Sequence, residues 1–149
     1  PKDPLYPFGF GLSYTTFEYS DITFEKSAGC ITVNAVITNS GDRDGDELFQ
    51  VYVRKRYTSA TQPARELKAF KRVTIPAGGS VCVKAEIMLD SLAYHTLDMK
   101  QGLEDMTLEV AVARHAEDMV EQKEFSLTFD GGFKPVSKRV YSNRVTVLL

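Results

Sequence analysis

The feature that most constrains the fold of this chain is a two-residue alternation of apolar and polar side chains within residues 30–56. Such alternation is typical of strands that bury one face. A polar, turn-rich run at residues 39–46 separates two alternating runs, so we predict two half-buried strands joined as a hairpin. The inward positions are Ile31, Val33, Ala35, Ile37, Phe49, Val51 and Val53, and the outward positions of the second run are Gln50, Tyr52 and Arg54.

Five further segments alternate in the same way, and no segment has the pattern of a long helix. We predict a bulge in the first of them, between Tyr19 and Ile22, and a second hairpin that turns at residues 76–79. Asp90 is placed to cap one helical turn. About seven short strands predict an all-β fold, a two-sheet antiparallel sandwich. The five segments lie near residues 17–24, 69–75, 81–87, 108–112 and 125–129.

Length and charge narrow the class of protein. A chain of 149 residues fits one domain with a core of its own. The formal net charge of −2 gives no electrostatic reason to expect nucleic acid or an anionic membrane as a partner. No apolar run approaches the roughly 18–20 residues that a membrane-spanning helix needs.

The chain begins at Pro1 rather than at a methionine, so we expect it to be a piece of a longer protein. Its localisation, in the cytoplasm or exported, therefore stays open. Cys30 and Cys82 both fall on the outward phase of their strands, and we expect two reduced thiols, although spacing alone leaves their pairing open.

The composition of the two ends differs from that of the middle. We expect residues 1–14 to form an aromatic and glycine-rich linker, residues 15–129 to form the sandwich, and residues 130–149 to be a basic tail. The tail either adds an edge strand or leads to a further domain. The linker is called the opening segment below, and its aromatic side chains either pack on a neighbouring domain or cap the core of the sandwich itself. These candidates for interdomain packing are Tyr6, Phe8, Phe10 and Tyr14.

Three stretches in order carry a resemblance: YPFGFGLSYT at residues 6–15, NSGDRDGDE at residues 39–47 and ELKAFKRV at residues 66–73. Together they resemble the fibronectin type III-like domain of glycoside hydrolase family 3, which contains β-glucosidases and β-xylosidases. The resemblance covers about residues 6–129. It departs from the family at residues 100–105, where a Pro-Gly-aromatic turn is usual, and in the tail beyond residue 129.

The resemblance implies an immunoglobulin-like or fibronectin type III-like sandwich that acts as a non-catalytic accessory domain. It implies a parent enzyme that hydrolyses β-linked glucosides or related sugars with retention, by means of two carboxyl groups about 5 to 5.5 Å apart. The family's motif for the nucleophile does not occur in this chain. The resemblance therefore implies no catalytic residue here, and its expected partners are the catalytic domains of the same parent chain.

A polar loop near residues 57–66 is the second candidate site. Tyr57, Gln62, Arg65 and Glu66 could lie at the rim of the parent's active site and contact an oligosaccharide. In a related hypothesis the chain is a carbohydrate-binding module that uses Tyr52 and Tyr57 as stacking rings, although the chain has no Trp to offer. The alternative for Arg65 and Glu66 is an ion pair internal to the domain.

No metal or cofactor is expected. The carboxylates of Asp42, Asp44 and Asp46 alternate as calcium ligands can, but the glycine and glutamate that an EF-hand loop requires are not at their positions. His95 and His115 have no neighbouring ligands at zinc-binding spacing. We therefore predict a solvated turn and two surface histidines.

Overall fold

A computed structural model describes residues 3–138 and 140–148 of the chain. It is an all-β structure with two short 3₁₀ helices, Leu89–Leu92 and Asp130–Gly132, in the described residues. The strands are β1 (Phe17–Lys26), β2 (Cys30–Asn39), β3 (Gly45–Arg56), β4 (Glu66–Ile75), β5 (Ser80–Met88), β6 (Tyr94–His95), β7 (Gln101–Glu104), β8 (Met106–His115), β9 (Asp118–Leu127), β10 (Phe133–Pro135) and β11 (Arg144–Leu148).

Two four-stranded antiparallel sheets form the sandwich. The first sheet has the strand order β1-β2-β5-β11, and the second has the order β4-β3-β8-β9. A small third sheet, β10-β7-β6, lies beside them. The predicted fold class is confirmed, and the strand count exceeds the expected seven because short strands, which show little alternation, were not recognisable in the sequence.

The apolar phases of the two large sheets face each other and make one continuous core. The inward positions expected from the alternation in β2 and β3 are all buried. Burial of each large apolar side chain contributes roughly 1.5–3 kcal/mol to folding. The core also takes in Leu89 and Leu92 of the first 3₁₀ helix, which closes one end of the sandwich.

The two predicted hairpins are wrong. The loop between β2 and β3 and the loop between β4 and β5 each pass from one sheet to the other, so the strands that they join do not pair. Instead β2 pairs with β5, placing Val33 opposite Ala85, and β3 pairs with β4, placing Phe49 opposite Lys71. Alternation fixes which face of a strand is buried, but both sheets bury the same kind of face, so it does not assign a strand to a sheet.

Local predictions had mixed outcomes. The bulge in β1 is confirmed, since its register with β2 shifts between Ser20 and Thr23. A helical turn is present at Leu89–Leu92, but Asp90 is not its cap, because the residue at the cap position is Met88. The Asp90 carboxylate instead accepts a hydrogen bond from Lys134 Nζ at 2.7 Å.

The region that departs from the family pattern forms β7, which pairs with both β6 and β10. Gly102 of β7 is needed there, because a Cβ at this position would meet the Lys134 carbonyl oxygen and the Phe133 ring. In the tail, β11 adds an edge strand that pairs with β5, with Val147 opposite Val83.

The cysteine side chains of Cys30 and Cys82 are free thiols. In the register of β2 and β5, Cys30 lies opposite Met88 and Cys82 lies opposite Val36. The two positions are therefore six residues apart along adjacent strands, roughly 20 Å, which no disulfide can bridge. Among the helices in the described part of the chain, none has the length and apolar character needed to cross a membrane.

Candidate functional sites

The described part of the opening segment, residues 3–14, lies on the outer face of the second sheet, where hydrogen bonds to the carbonyl groups of Phe8 and Gly9 fix its main chain. The carbonyl oxygen of Phe8 accepts from the backbone N–H of Ala116 at 2.9 Å and from the hydroxyl of Tyr52 at 3.3 Å. The next carbonyl, that of Gly9, accepts from Gln50 Nε2 at 3.2 Å. The segment is therefore part of the domain rather than a free linker.

Gly9 is the position that allows this close approach. Its φ of +82° lies in the left-handed region, which side chains other than glycine rarely adopt. A Cβ at this position would also meet Gln50 Oε1 and Tyr52 Oη. The glycine in the aromatic motif is thus required both by backbone conformation and by contact with the sheet.

Tyr52 corrects one of the expectations for sugar binding. Its side chain belongs to the outer face of β3, as its phase predicts, but only 1% of it is exposed because the opening segment covers it. Its hydroxyl also donates to Gln50 Oε1 at 2.8 Å, and burial raises its pKa. Tyr52 is therefore not available as a stacking ring for a sugar.

Three of the four aromatic side chains of the opening segment are largely exposed. Phe8 is 68% exposed and Tyr14 is 95% exposed, and Tyr6 is also exposed. Phe10 is the most covered of the four, with its ring centroid 5.1 Å from that of Tyr6 and 5.7 Å from that of His115. None of these rings enters the hydrophobic core, so they do not cap it.

The 57–66 loop connects β3 to β4, and the charged side chains at its base pair within the domain. Glu109 of β8 has an almost fully buried side chain. One of its carboxylate oxygens forms an ion pair with Arg56 at 2.8 Å, and the other forms an ion pair with Arg65 at 3.0 Å. Arg56 also pairs with Glu124 of β9 at 3.0 Å. The two ends of the loop are thus tied to one carboxylate on the neighbouring strand.

Glu66, the first residue of β4, pairs with Lys55 and with Lys68, each at 2.8 Å. Burial acts to raise the pKa of the Glu66 carboxyl, but its hydrogen bonds to the two lysines outweigh burial and keep that pKa below its ordinary value. The ammonium group of Lys55 is buried and also donates to the carbonyl oxygen of Leu92 at 3.2 Å. Arg65 and Glu66 therefore each form ion pairs within the domain, but with separate partners.

The middle of the 57–66 loop is tied to β7. Ser59 donates to Glu104 Oε2 from its backbone N–H at 3.0 Å and from its hydroxyl at 2.8 Å. The hydroxyl of Tyr94 donates to the same oxygen at 2.6 Å. Gln62 donates to carbonyl oxygens of its own loop, and Tyr57 is left 82% exposed with a φ of +63°.

Asn39 is a structural residue whose role the sequence reasoning missed. Its side chain is completely buried where the two sheets meet. The amide nitrogen donates to the carbonyl oxygens of Arg43 at 2.8 Å and Ile75 at 2.9 Å, and the amide oxygen accepts from the Thr15 hydroxyl at 2.7 Å. The sequence does contain a sign of this role, because Asn39 places a polar side chain at an inward position of the alternation in β2.

The acidic loop at residues 42–46 uses its carboxylates inside the domain. Asp44 accepts from the backbone N–H of Ala77 at 2.9 Å, and Asp46 pairs with Arg72 and accepts from Thr74. In residues 3–138 and 140–148, no group of three or more His, Cys, Asp or Glu side chains is arranged to hold a metal ion.

Comparison with known proteins places this geometry in a family. Residues 47–116 match the family model described as a fibronectin type III-like domain. A β-xylosidase of Formosa agariphila is 40% identical over 133 residues, which are 85% of this chain and 18% of that protein. A periplasmic β-glucosidase of Salmonella typhimurium is 36% identical over 105 residues, which are 68% of this chain and 14% of that protein.

A solved structure agrees. The β-glucosidase 3B of Thermotoga neapolitana in complex with glucose superposes with a TM-score of 0.76 at 35% identity, over 83% of this chain and 17% of that one. The chain thus spans less than a fifth of the length of these relatives. The motif order, the sheet topology and these matches agree, and the chain belongs to the fibronectin type III-like domain family, in the form found in family 3 glycoside hydrolases.

Proposed function

We propose that the chain is a non-catalytic accessory domain of a longer glycoside hydrolase, and that it acts by packing against the catalytic domains of the same parent chain. The observation that supports this most directly is the opening segment, whose main chain is fixed to the second sheet while its rings face outward. A segment held in this way presents an apolar surface without any need to order on binding.

The size of that surface suits a protein partner. Besides its four aromatic side chains the segment exposes Leu5 and Leu12, so six large apolar side chains lie within ten residues. Contiguous apolar patches of this kind mark interaction sites, since water contact with them is costly. Burial of Phe8 would contribute up to about 1.5–3 kcal/mol to assembly, and the partly covered Phe10 would add less.

For the parent protein we propose hydrolysis of β-linked glycosides with retention. The support is that the relatives reported above are a β-xylosidase and two β-glucosidases, in which this domain is a small fraction of the chain. Retention requires a nucleophile and an acid/base about 5 to 5.5 Å apart, and we assign both to the catalytic domains.

The test uses the double variant Phe8→Ala/Phe10→Ala, introduced both in the isolated chain and in the full-length parent. We expect the free energy of urea unfolding of the isolated chain to change by no more than about 1 kcal/mol, because Phe8 is largely exposed and Phe10, although partly covered by Tyr6 and His115, lies outside the core. In the parent we expect a clear loss of thermal stability, measured as faster loss of activity on a nitrophenyl β-glycoside at elevated temperature.

Leu97→Ala is the matched control, since Leu97 is an exposed apolar residue outside the opening segment. It should leave both proteins unchanged. Equal destabilisation of the isolated chain and of the parent by the double variant would place the two rings in the local packing of the domain and refute the proposed interface.

A further inference from the structure

We propose that the 57–66 loop is a pre-organised sugar-binding loop, in which the ring of Tyr57 stacks on a pyranose ring of a β-linked oligosaccharide. The choice of a sugar as ligand rests on the proposed function of the parent protein. The binding itself requires only residues of this chain, so it is testable without the catalytic domains.

The first support is that both ends of the loop are fixed. Arg56 precedes the loop and Arg65 lies near its end, and both pair with the buried carboxylate of Glu109. Ion pairs to a buried charge are difficult to break, because an unpaired charge in the interior is strongly unfavourable. The loop therefore leaves the sandwich and returns to it at one defined point.

The second support is that the middle of the loop is also fixed. Ser59 makes two hydrogen bonds to Glu104 Oε2, which also accepts a hydrogen bond from the hydroxyl of Tyr94. Thr58 donates to the carbonyl oxygen of Ala60 at 2.9 Å, and Ala60 packs against the core. A loop ordered by the domain itself loses little conformational entropy when it binds a ligand.

The third support is the backbone of Tyr57. Its φ of +63° lies in the left-handed region, where a bulky residue is strained relative to glycine. The Tyr57 side chain packs little against the domain in return, since the residue is 82% exposed. Strain that is not offset by packing is a feature of binding sites, where the side chain serves a partner.

The chemistry of the loop favours a sugar over a second protein surface. The flat ring of Tyr57 is followed in sequence by hydroxyl and amide side chains at residues 58, 59, 61 and 62, a combination that suits the apolar face and the hydroxyl rim of a pyranose. A protein interface needs an apolar centre of several large side chains, and the opening segment exposes six of them, whereas this loop exposes only Tyr57. Tyr57 lies five residues beyond Tyr52, about 17 Å along the direction of β3, so the two surfaces are separate.

The test is a titration of the 149-residue chain with cellotetraose and with xylotetraose, followed by two-dimensional amide NMR. We expect saturable shifts within residues 57–64 with a Kd of about 1 mM. Tyr57→Phe should keep the affinity, because stacking uses the ring, and Tyr57→Ala should weaken binding about tenfold.

The Ser59→Ala variant tests whether the 57–66 loop is ordered before the sugar binds. It removes the hydroxyl bond to Glu104 while leaving Tyr57 in place, so we expect weaker binding by about threefold and broader amide signals in the loop. Tyr141→Ala is the control for an exposed tyrosine elsewhere on the surface, and it should bind as the unmodified chain does.

Two results would overturn the inference. One is the absence of amide shifts at an oligosaccharide concentration about ten times the expected Kd, and the other is shifts that persist unchanged in the Tyr57→Ala variant. Either result would leave the packing role of the opening segment intact, because that role is measured on the parent protein with Phe8 and Phe10. The reverse combination is also informative. If the chain binds the sugar but Phe8→Ala/Phe10→Ala leaves the parent protein unaffected, the proposed interface is refuted and the sugar-binding role of the loop stands.

Discussion

At the scale of single residues, Glu47 shows how a charged side chain is placed between the sheets. It lies in β3, and its carboxylate accepts a hydrogen bond at 2.7 Å from the hydroxyl of Tyr19 in β1 of the other sheet. Burial raises the pKa of the Glu47 carboxyl above its ordinary value of 4.5, and the hydrogen bond from Tyr19 and the charge of Arg114 offset only part of this effect.

The raised pKa has a defined consequence for stability. The folded chain binds the proton of Glu47 more tightly than the unfolded chain does, so this contribution to stability is present at low pH and is lost as pH rises through the folded-state pKa. Glu47→Gln keeps an acceptor for Tyr19 and cannot ionise. We therefore expect the stability of the Glu47→Gln variant, relative to the unmodified chain, to increase as the pH rises from 4 to 7.

Urea unfolding at both pH values measures this difference. The control is Glu18→Gln, which changes an exposed carboxylate next to Tyr19 in the same strand. A relative stability of Glu47→Gln that stays the same at pH 4 and pH 7, or that falls, would contradict the assignment.

At the scale of elements, the opening segment is attached to the sheet through main-chain atoms rather than through its side chains. Its carbonyl groups accept from Ala116, Tyr52 and Gln50, so the aromatic residues can face outward without detaching the segment. The element therefore depends on its backbone conformation, and Gly9 determines that conformation.

Gly9→Ala should release the segment from the sheet. The added Cβ would meet Gln50 and Tyr52, and the left-handed backbone disfavours alanine. We expect the amide of Ala116, which donates to Phe8, to exchange its hydrogen about tenfold faster, while the free energy of global unfolding changes by no more than about 2 kcal/mol. Hydrogen-exchange NMR measures both quantities.

Gly11→Ala is the matched control in the same segment, because a Cβ at Gly11 meets nothing within 4 Å and its φ is not positive. It should leave the exchange of the Ala116 amide unchanged. Equal effects of the two substitutions would show that any added side chain, rather than the contact at Gly9, disturbs the segment.

At the scale of the whole molecule, Asn39 joins the two sheets. It ends β2 in the first sheet, and its amide donates to the carbonyl oxygen of Ile75 at the end of β4 in the second. It also binds Thr15 at the junction with the opening segment and Arg43 in the acidic loop. The β2–β3 and β4–β5 connections meet at Asn39, since its side chain binds Arg43 in the first connection and its backbone pairs with Gly78 and Gly79 in the second.

Asn39→Ala should destabilise the chain by roughly 2–4 kcal/mol, because it leaves several part-buried polar groups without their partner. Asn34→Ala is the control on the same strand, where the side chain lies on the outer face and donates only to Thr23. We expect that control to stay within about 0.5 kcal/mol of the unmodified chain. Urea unfolding measures the free energy of unfolding of both variants. An equal loss of stability in Asn39→Ala and Asn34→Ala would contradict the role of Asn39 in joining the two sheets.

The sequence by itself determined the fold class, the inward phases of β2 and β3, the bulge in β1 and the family. These features depend on contacts within one strand or on short motifs, and a two-residue period records them directly. The same period predicted two hairpins that do not exist, because it contains no information on which sheet a strand joins.

Only the tertiary structure decided which outward residues are covered. Tyr52 and Tyr57 are both tyrosines in or next to β3, yet the opening segment buries the first and the 57–66 loop exposes the second. Likewise the partners of Arg65 and Glu66 come from β8, β3 and β4. Burial and ion pairing of this kind arise from segments distant in sequence, and their meeting is a property of the packed sheets rather than of any local pattern.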